Sequence, residues 1–331
     1  MSKKKQFFIR LSMVLVIIAI FVAINIVLYL FISRRIGNNF GGADQSKMVD
    51  VSLYLPFEED SQLPRINSEF KLKDELPVLD GAAALVPVYA AIIDNVYPEG
   101  CVSYEGGSFS DDNFYGENFA EGSAMRYRNT IRGFYAMVDQ DADIFFGAYP
   151  SEEQLTYAED QKAELVSVPI GLEAFVFFVN KENPVDNLTA QNIRDIYSCK
   201  ITNWKDVGGV DRIINPLLRI EGSGSQNAMD RFMGDVPYGQ KSPLSIFGGS
   251  LGFSFRYYME GMVQNPKVKM ISVDGTYPDS ENISSGEYPL TTQFYAIYRK
   301  DNENPNVEAL IQWVLSEEGQ SLIQQCGYVP L

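Results

Sequence analysis

Histidine is missing from all 331 residues. Its absence excludes Ser-His-Asp and Cys-His relays and any imidazole-ligated metal. Three cysteines, Cys101, Cys199 and Cys326, fit no CxxC or zinc-ligand spacing, and their odd number leaves at least one thiol unpaired. Such a thiol is most often a small, inert core residue. Neither a P-loop nor a dinucleotide fingerprint occurs. Asp139, Asp141 and Asp143 start with calcium-loop spacing, but Ile144 stands where that loop needs glycine and Pro150 where it needs a bidentate glutamate. Glu105-Gly106-Gly107-Ser108 is Gly-rich yet follows no strand, and reads as a loop. Hydrolysis by carboxylates remains possible. No catalytic residue, cofactor or metal ligand is assigned.

Positive charge is scarce too. The chain has 27 basic against 43 acidic residues. Six of the basic ones, Lys3, Lys4, Lys5, Arg10, Arg34 and Arg35, precede residue 36, so the remainder holds 21 against the same 43 and carries about −22. That excludes nucleic acid as a partner recognised through a basic field. It also repels small anions at long range, so an anion site here has to use local, oriented donors.

What is present begins with a run free of charge. Leu11 to Ile32 spans 22 residues rich in Val, Ile, Leu and Phe. About 20 apolar residues suffice to cross a bilayer as a helix. The larger basic cluster lies before the run, which places the N-terminus inside and the body outside the cell. No small-x-small cleavage site and no lipid-accepting cysteine follow, so an uncleaved anchor through residues 11–32 is expected rather than a signal peptide. Residues 36–74, acidic and punctuated by proline, read as a tether with one short strand near Val51–Leu55.

Beyond residue 75, strand and helix patterns alternate. Strands are expected at 76–80, 142–147, 164–180, before Arg219, at 268–273 and at 289–298. Helices are expected at 85–97, 129–138, 189–197, after Ser225, at 253–262 and at 307–325. This alternation implies an α/β fold with largely parallel sheets. Three turns share one plan, in which a strand leads through small residues or Thr into a helix start: Gly81–Ala84, Asn129–Thr130 and Gly222–Ser225. Ligands of open α/β sheets bind at such strand ends.

The third turn is the richest in donors. Arg219-Ile220-Glu221-Gly222-Ser223-Gly224-Ser225 sets small hydroxyls and bare N–H groups at a helix N-terminus, where the macrodipole favours an anion. Arg219 adds a planar fork suited to phosphate or carboxylate, and Glu221 is placed to hold it.

These segments resemble the periplasmic phosphate-binding proteins, the solute-binding subunits of phosphate ABC importers. Asn180, Pro184-Val185-x-Asn187-Leu188-Thr189, Ile201-Thr202-Asn203-Trp204, Asp206 and Gly208-Gly209 are similar to one signature of that family. Arg219-x-Glu221-Gly222-Ser223-Gly224-Ser225 is similar to its anion loop, and Gly286-x-Tyr288-Pro289-Leu290 to its return strand. The resemblance implies a two-lobed periplasmic-binding-protein-like fold of type 2. Its parts would be an anchor over 1–35, a tether over 36–74 and a solute-binding body over 75–331. One lobe would be residues 75–170 and 286–331, the other 171–285. It implies a ligand, phosphate or a related oxyanion, held by Arg219, Ser223, Gly224, Ser225 and Thr130, with Glu221 orienting Arg219. It also implies an ABC permease as partner and a body on the extracytoplasmic side. The first lobe departs from the family. A family hydroxyl falls on Ala83, leaving only N–H groups from Ala83 and Ala84, and a family carboxylate that accepts a proton from phosphate falls near Ala148. These departures motivate an alternative, a sensing or interaction module on the same fold.

Overall fold

The computed structural model describes residue 5 and residues 13–28, 51–106 and 119–331. The chain divides into two units, Met1–Asp44 and Gln45–Leu331. In the first, residues 13–28 form a helix, α1, with exposed side chains. Among the described residues no helix is long and apolar enough to cross a membrane. Of the uncharged run, positions 11, 12 and 29–32 lie outside the described residues, as do 36–50 of the expected tether.

In the second unit, the stretch expected as a tether is packed from Val51 onward. Val51, Tyr54, Leu55, Leu63 and Leu72 are buried in the largest core. The strand expected near Val51–Leu55 is a 3-10 turn, Ser52–Tyr54. Polar contacts pin the rest: Arg65 Nε donates to Asp94 Oδ2 at 2.8 Å, Ile66 N to Asn95 Oδ1 at 2.7 Å, and Trp313 Nε1 to Ser68 Oγ at 3.0 Å. The apolar residues of this segment follow neither helix nor strand period, which is why its packing leaves no pattern in the sequence.

The remaining elements, in chain order, are β1 (Leu79–Gly81), α2 (Val86–Val96), α3 (Asn129–Val138), β2 (Ile144–Gly147), α4 (Glu152–Asp160), β3 (Leu165–Asn180), β4 (Asn187–Leu188) and α5 (Ala190–Tyr197). Then come β5 (Ile214–Pro216), α6 (Gly224–Met233), β6 (Gly249–Phe255), β7 (Val268–Met270), β8 (Ser272–Val273), α7 (Ser280–Ser284), β9 (Thr291–Arg299), α8 (Asn306–Leu315) and α9 (Glu317–Gln325). Two expectations give way. The helix at 253–262 is instead the end of β6 followed by a π-helical turn, Tyr258–Val263, because Phe253 and Phe255 pair across to Phe177 and Phe175 of β3. The closing helix is two, broken where Ser316 caps α9 by accepting from Gly319 N.

The sheet runs β1-β2-β9-β3-β6-β5, with β7 also on β3. Only its flanks are parallel, β1 with β2 and β5 with β6, while β9, β3 and β6 run antiparallel through the middle. The expected parallel sheet is therefore mixed, since β9 returns along β3 after the second lobe is complete. β3 serves both lobes: Leu165–Ala174 pairs with β9, and Phe175–Val179 with β6. A bulge between Pro169 and Gly171 marks the passage. A Cβ at Gly171 would lie 2.4 Å from the Phe294 ring, so the strand bends over that ring only with glycine there.

Each lobe has its own core. Ile144 and Phe146 of β2 face the core shared with α2, α8 and α9, while Phe145 faces Phe134 and Met137 of α3 on the other side. Covered on both faces, β2 is apolar throughout rather than alternating. In the second lobe Phe175, Phe177 and Phe253 pack with Phe232 and Tyr197.

Candidate functional site

The second-lobe loop is shaped by one glycine and one cap. Gly222 has φ +77, a left-handed conformation that favours glycine, and a Cβ there would sit 3.3 Å from Ile131 of the first lobe. The chain then turns into α6 through Ser223, an extended residue whose hydroxyl accepts from Gln226 N at 3.3 Å. Asn227 N bonds to Ser223 O, which leaves the N–H groups of Gly224 and Ser225 without a partner among the described residues. This is the anion-ready end of a ten-residue helix.

Arg219 is locked in by its backbone. Its N–H donates to Gln226 Oε1 at 2.8 Å, and Gln226 Nε2 is held by Asp230 Oδ1 at 2.8 Å and by the Tyr238 hydroxyl. Tyr238 in turn donates to Asp230 at 2.6 Å, so burial and that carboxylate raise the tyrosine's pKa far above its usual range. The guanidinium hydrogen-bonds the hydroxyl of the half-buried Tyr258, while its Nε is buried with no hydrogen-bond partner among the described residues. A buried charged donor left unpaired is costly, and a bound oxyanion would satisfy it. Glu221, expected to hold the arginine, is exposed and makes no ion pair with it among the described residues. Gln226 holds its backbone N–H, and the Tyr258 hydroxyl hydrogen-bonds its guanidinium.

Across the cleft, Thr130 is buried at the start of α3, and its Oγ1 lies 3.6 Å from where a Gly224 Cβ would stand. The helix begins with strain. Asn129 has φ +65, and its Oδ1 accepts from Thr130 N at 2.8 Å. Ala83 and Ala84 open a 3-10 turn leading into α2, and Tyr258–Val263 packs against that turn. Tyr328 donates its hydroxyl to Ala84 O. The structure thus brings Thr130 to the Gly224 loop, whereas the Ala83–Ala84 turn packs against the Tyr258–Val263 turn and makes no recorded contact with Arg219 among the described residues.

One buried carboxylate supports both first-lobe turns. Asp80, the middle residue of β1, accepts from Gly81 N at 2.8 Å and from Arg128 N at 3.1 Å. Its other oxygen faces Arg128 Nε at 3.4 Å. A Cβ on Gly133 would come within 3.0 Å of it, so α3 approaches closely only through that glycine. In the sequence Asp80 closes the strand expected at 76–80, and its Leu-Asp-Gly setting is the one local signal of this role. Gln154 and Asn227, also unforeseen, join α4 to α6 at 3.3 Å.

Among the described residues no cluster of three or more His, Cys, Asp or Glu could hold a metal. Cys326 is buried, with its thiol pKa pushed far up by burial, and Cys101 is raised to about 11 for the same reason. Both are protonated and unreactive at neutral pH.

Comparison with known proteins follows the same outline. The chain is 25% identical over 198 residues to the phosphate-binding protein PstS of Borreliella burgdorferi, covering 54% of this chain and 70% of the relative. It is 25% identical over 185 residues to PstS of Bacillus subtilis, covering 52% of this chain and 59% of that protein. An ABC-type phosphate transport receptor from Vibrio cholerae superposes with a TM-score of 0.52 at 20% identity, over 77% of this chain and all of that one, and shares its fold. Their names are those of phosphate-binding and phosphate-transport proteins. A family model described as the PBP superfamily domain matches residues 127–318, more than half of the chain and both Thr130 and the Arg219–Ser225 loop. The chain belongs to the PBP superfamily.

Proposed function

We propose that this protein captures phosphate or a related oxyanion outside the cytoplasm and delivers it to an ABC permease, its two lobes closing over the ligand. The observation that carries the reading is the start of α6. Two N–H groups without a partner among the described residues and the Ser223 cap stand there, Thr130 of the opposite lobe lies against Gly224, and Arg219, five residues before Gly224, carries a buried Nε without a partner among the described residues. Glu221 is left as a rim residue. The names of the PstS relatives support phosphate as the first ligand to try. The uncharged run at 11–32, flanked by basic residues, supports a single-pass anchor with the body on the extracytoplasmic side.

Isothermal calorimetry of the full chain in detergent tests this directly. Saturable binding of inorganic phosphate is expected, weakened about ten- to a hundredfold in Arg219→Ala. No heat at millimolar phosphate refutes the reading.

A further inference from the structure

The helix that opens at the anion loop also carries the seam between the lobes. Gly224, Asn227 and Arg231 of α6 are spaced three and four residues apart and so share one face. Each meets the first lobe. Gly224 faces Thr130 of α3. Asn227 Nδ2 donates to Gln154 Oε1 of α4 at 3.3 Å. Arg231 Nη1 donates to the carbonyl of Tyr149, after β2, at 3.2 Å.

The middle contact is the most enclosed. Gln154 is 2% and Asn227 5% exposed. Gln154 cannot flip freely, because its Oε1 also accepts from Ser151 N at 2.9 Å in the capping box of α4. Its Nε2 is consequently buried without a partner among the described residues. Closing the seam therefore gains two hydrogen bonds and strands one donor, which keeps it breakable. Asn227 Nδ2 also lies 3.4 Å from Gly222 O, tying the seam to the anion loop itself.

We propose that Asn227, Gln154 and Arg231 form a latch that holds the lobes shut and sets how slowly a bound oxyanion leaves. They are positioning residues and touch no ligand. The proposal rests on the oxyanion reading above for its kinetic form. A ligand enclosed between lobes escapes only after they part, so contacts made only in the closed state slow release and leave encounter with the open form unchanged.

Stopped-flow kinetics with inorganic phosphate on the full chain, at salt high enough to screen steering, provides the test. Asn227→Asp keeps the shape but turns a carboxylate towards Gln154 Oε1, and Arg231→Ala removes the outer contact. Each is expected to raise the release rate about three- to tenfold, with the association rate within about twofold of the parent. Arg231→Lys, which keeps a cationic donor near Tyr149, recovers most of the loss. Release within twofold of the parent in both disruptive variants overturns the latch, as does a change confined to association. If the parent chain binds no phosphate, the oxyanion reading fails separately. The latch is then judged by hydrogen exchange of the unliganded chain over 149–155. Faster exchange there in Asn227→Asp supports it, and unchanged exchange overturns it.

Discussion

Glu173 stands on β3 just past the Gly171 bulge, where the strand leaves the first lobe, and it is 3% exposed. Arg256 is its ionic partner, yet Nε and Oε1 are 3.5 Å apart and make no hydrogen bond. The guanidinium is shared with Glu260 at 3.0 Å and with Gly327 O at 2.7 Å. Ala174 N and Tyr257 N donate to the carboxylate at 2.8 and 3.2 Å. Burial outweighs these attractions, Glu260 adds repulsion, and the pKa of Glu173 is pushed up from 4.5 to about 7. The folded state therefore binds this proton more tightly than the unfolded chain. Between pH 4.5 and about 7 it holds more protons, and stability falls as pH rises through that window. At ~1.4 kcal/mol per tenfold in proton affinity, ionising Glu173 costs the fold about 3 kcal/mol. Glutamine imitates the protonated form. Urea denaturation of parent and Glu173→Gln from about pH 5 to 8.5 should show near-equal stability at the acid end, with the variant gaining about 3 kcal/mol at the alkaline end. A parent that instead gains on the variant as pH rises would show the Arg256 pair outweighing burial, and would refute the reasoning.

Three further predictions follow from particular residues. Arg219→Ala removes the charged fork while its backbone anchor to Gln226 survives, so phosphate affinity should drop about ten- to a hundredfold by calorimetry with little change in Tm. Ser223→Ala loses the cap of α6 and should cost about 1 kcal/mol in urea denaturation, besides weakening binding. A chain shortened to begin at residue 75 strips Val51, Tyr54, Leu55, Leu63 and Leu72 from the first core, at ~1.5–3 kcal/mol for each large apolar side chain. It should lack a cooperative thermal transition, whereas a free tether in that segment would leave Tm unchanged.

The parts of the fold legible in the sequence are those governed by local pattern. The Ser223 cap, the Asn129–Val138 helix and the apolar run of β2 follow from capping and from burial on both faces. What escaped depends on partners far along the chain. β6 reads as helix until Phe253 and Phe255 find Phe177 and Phe175 on β3. The mixed sheet arises because β9 returns to β3 over a hundred residues later, which no window of periodicity contains. The site divides in the same way. The donors of the Arg219–Ser225 loop lie within seven consecutive residues and could be read directly. Asp80, Gln154 and Tyr258 act through contacts with residues 48, 73 and 39 positions away and carry no motif of their own.

The charge of the body then bears on how such a site works. With 43 acidic residues against 21 basic ones beyond residue 35, the long-range field disfavours approach of an anion, so association gains nothing from steering. Affinity then has to come from slow release. The local arrangement favours that. Glu221 is turned to solvent, Asp80 is committed to Arg128 and the Gly81 amide, and Asp230 to Tyr238 and Gln226, so these carboxylates are occupied away from the loop donors. The helix that gathers the donors at one end is pinned to the opposite lobe along its length, at Gln154 and Tyr149. On the proposed reading capture and retention fall to one element, and a repulsive surface is compatible with an oxyanion site because retention does not depend on the field that opposes entry.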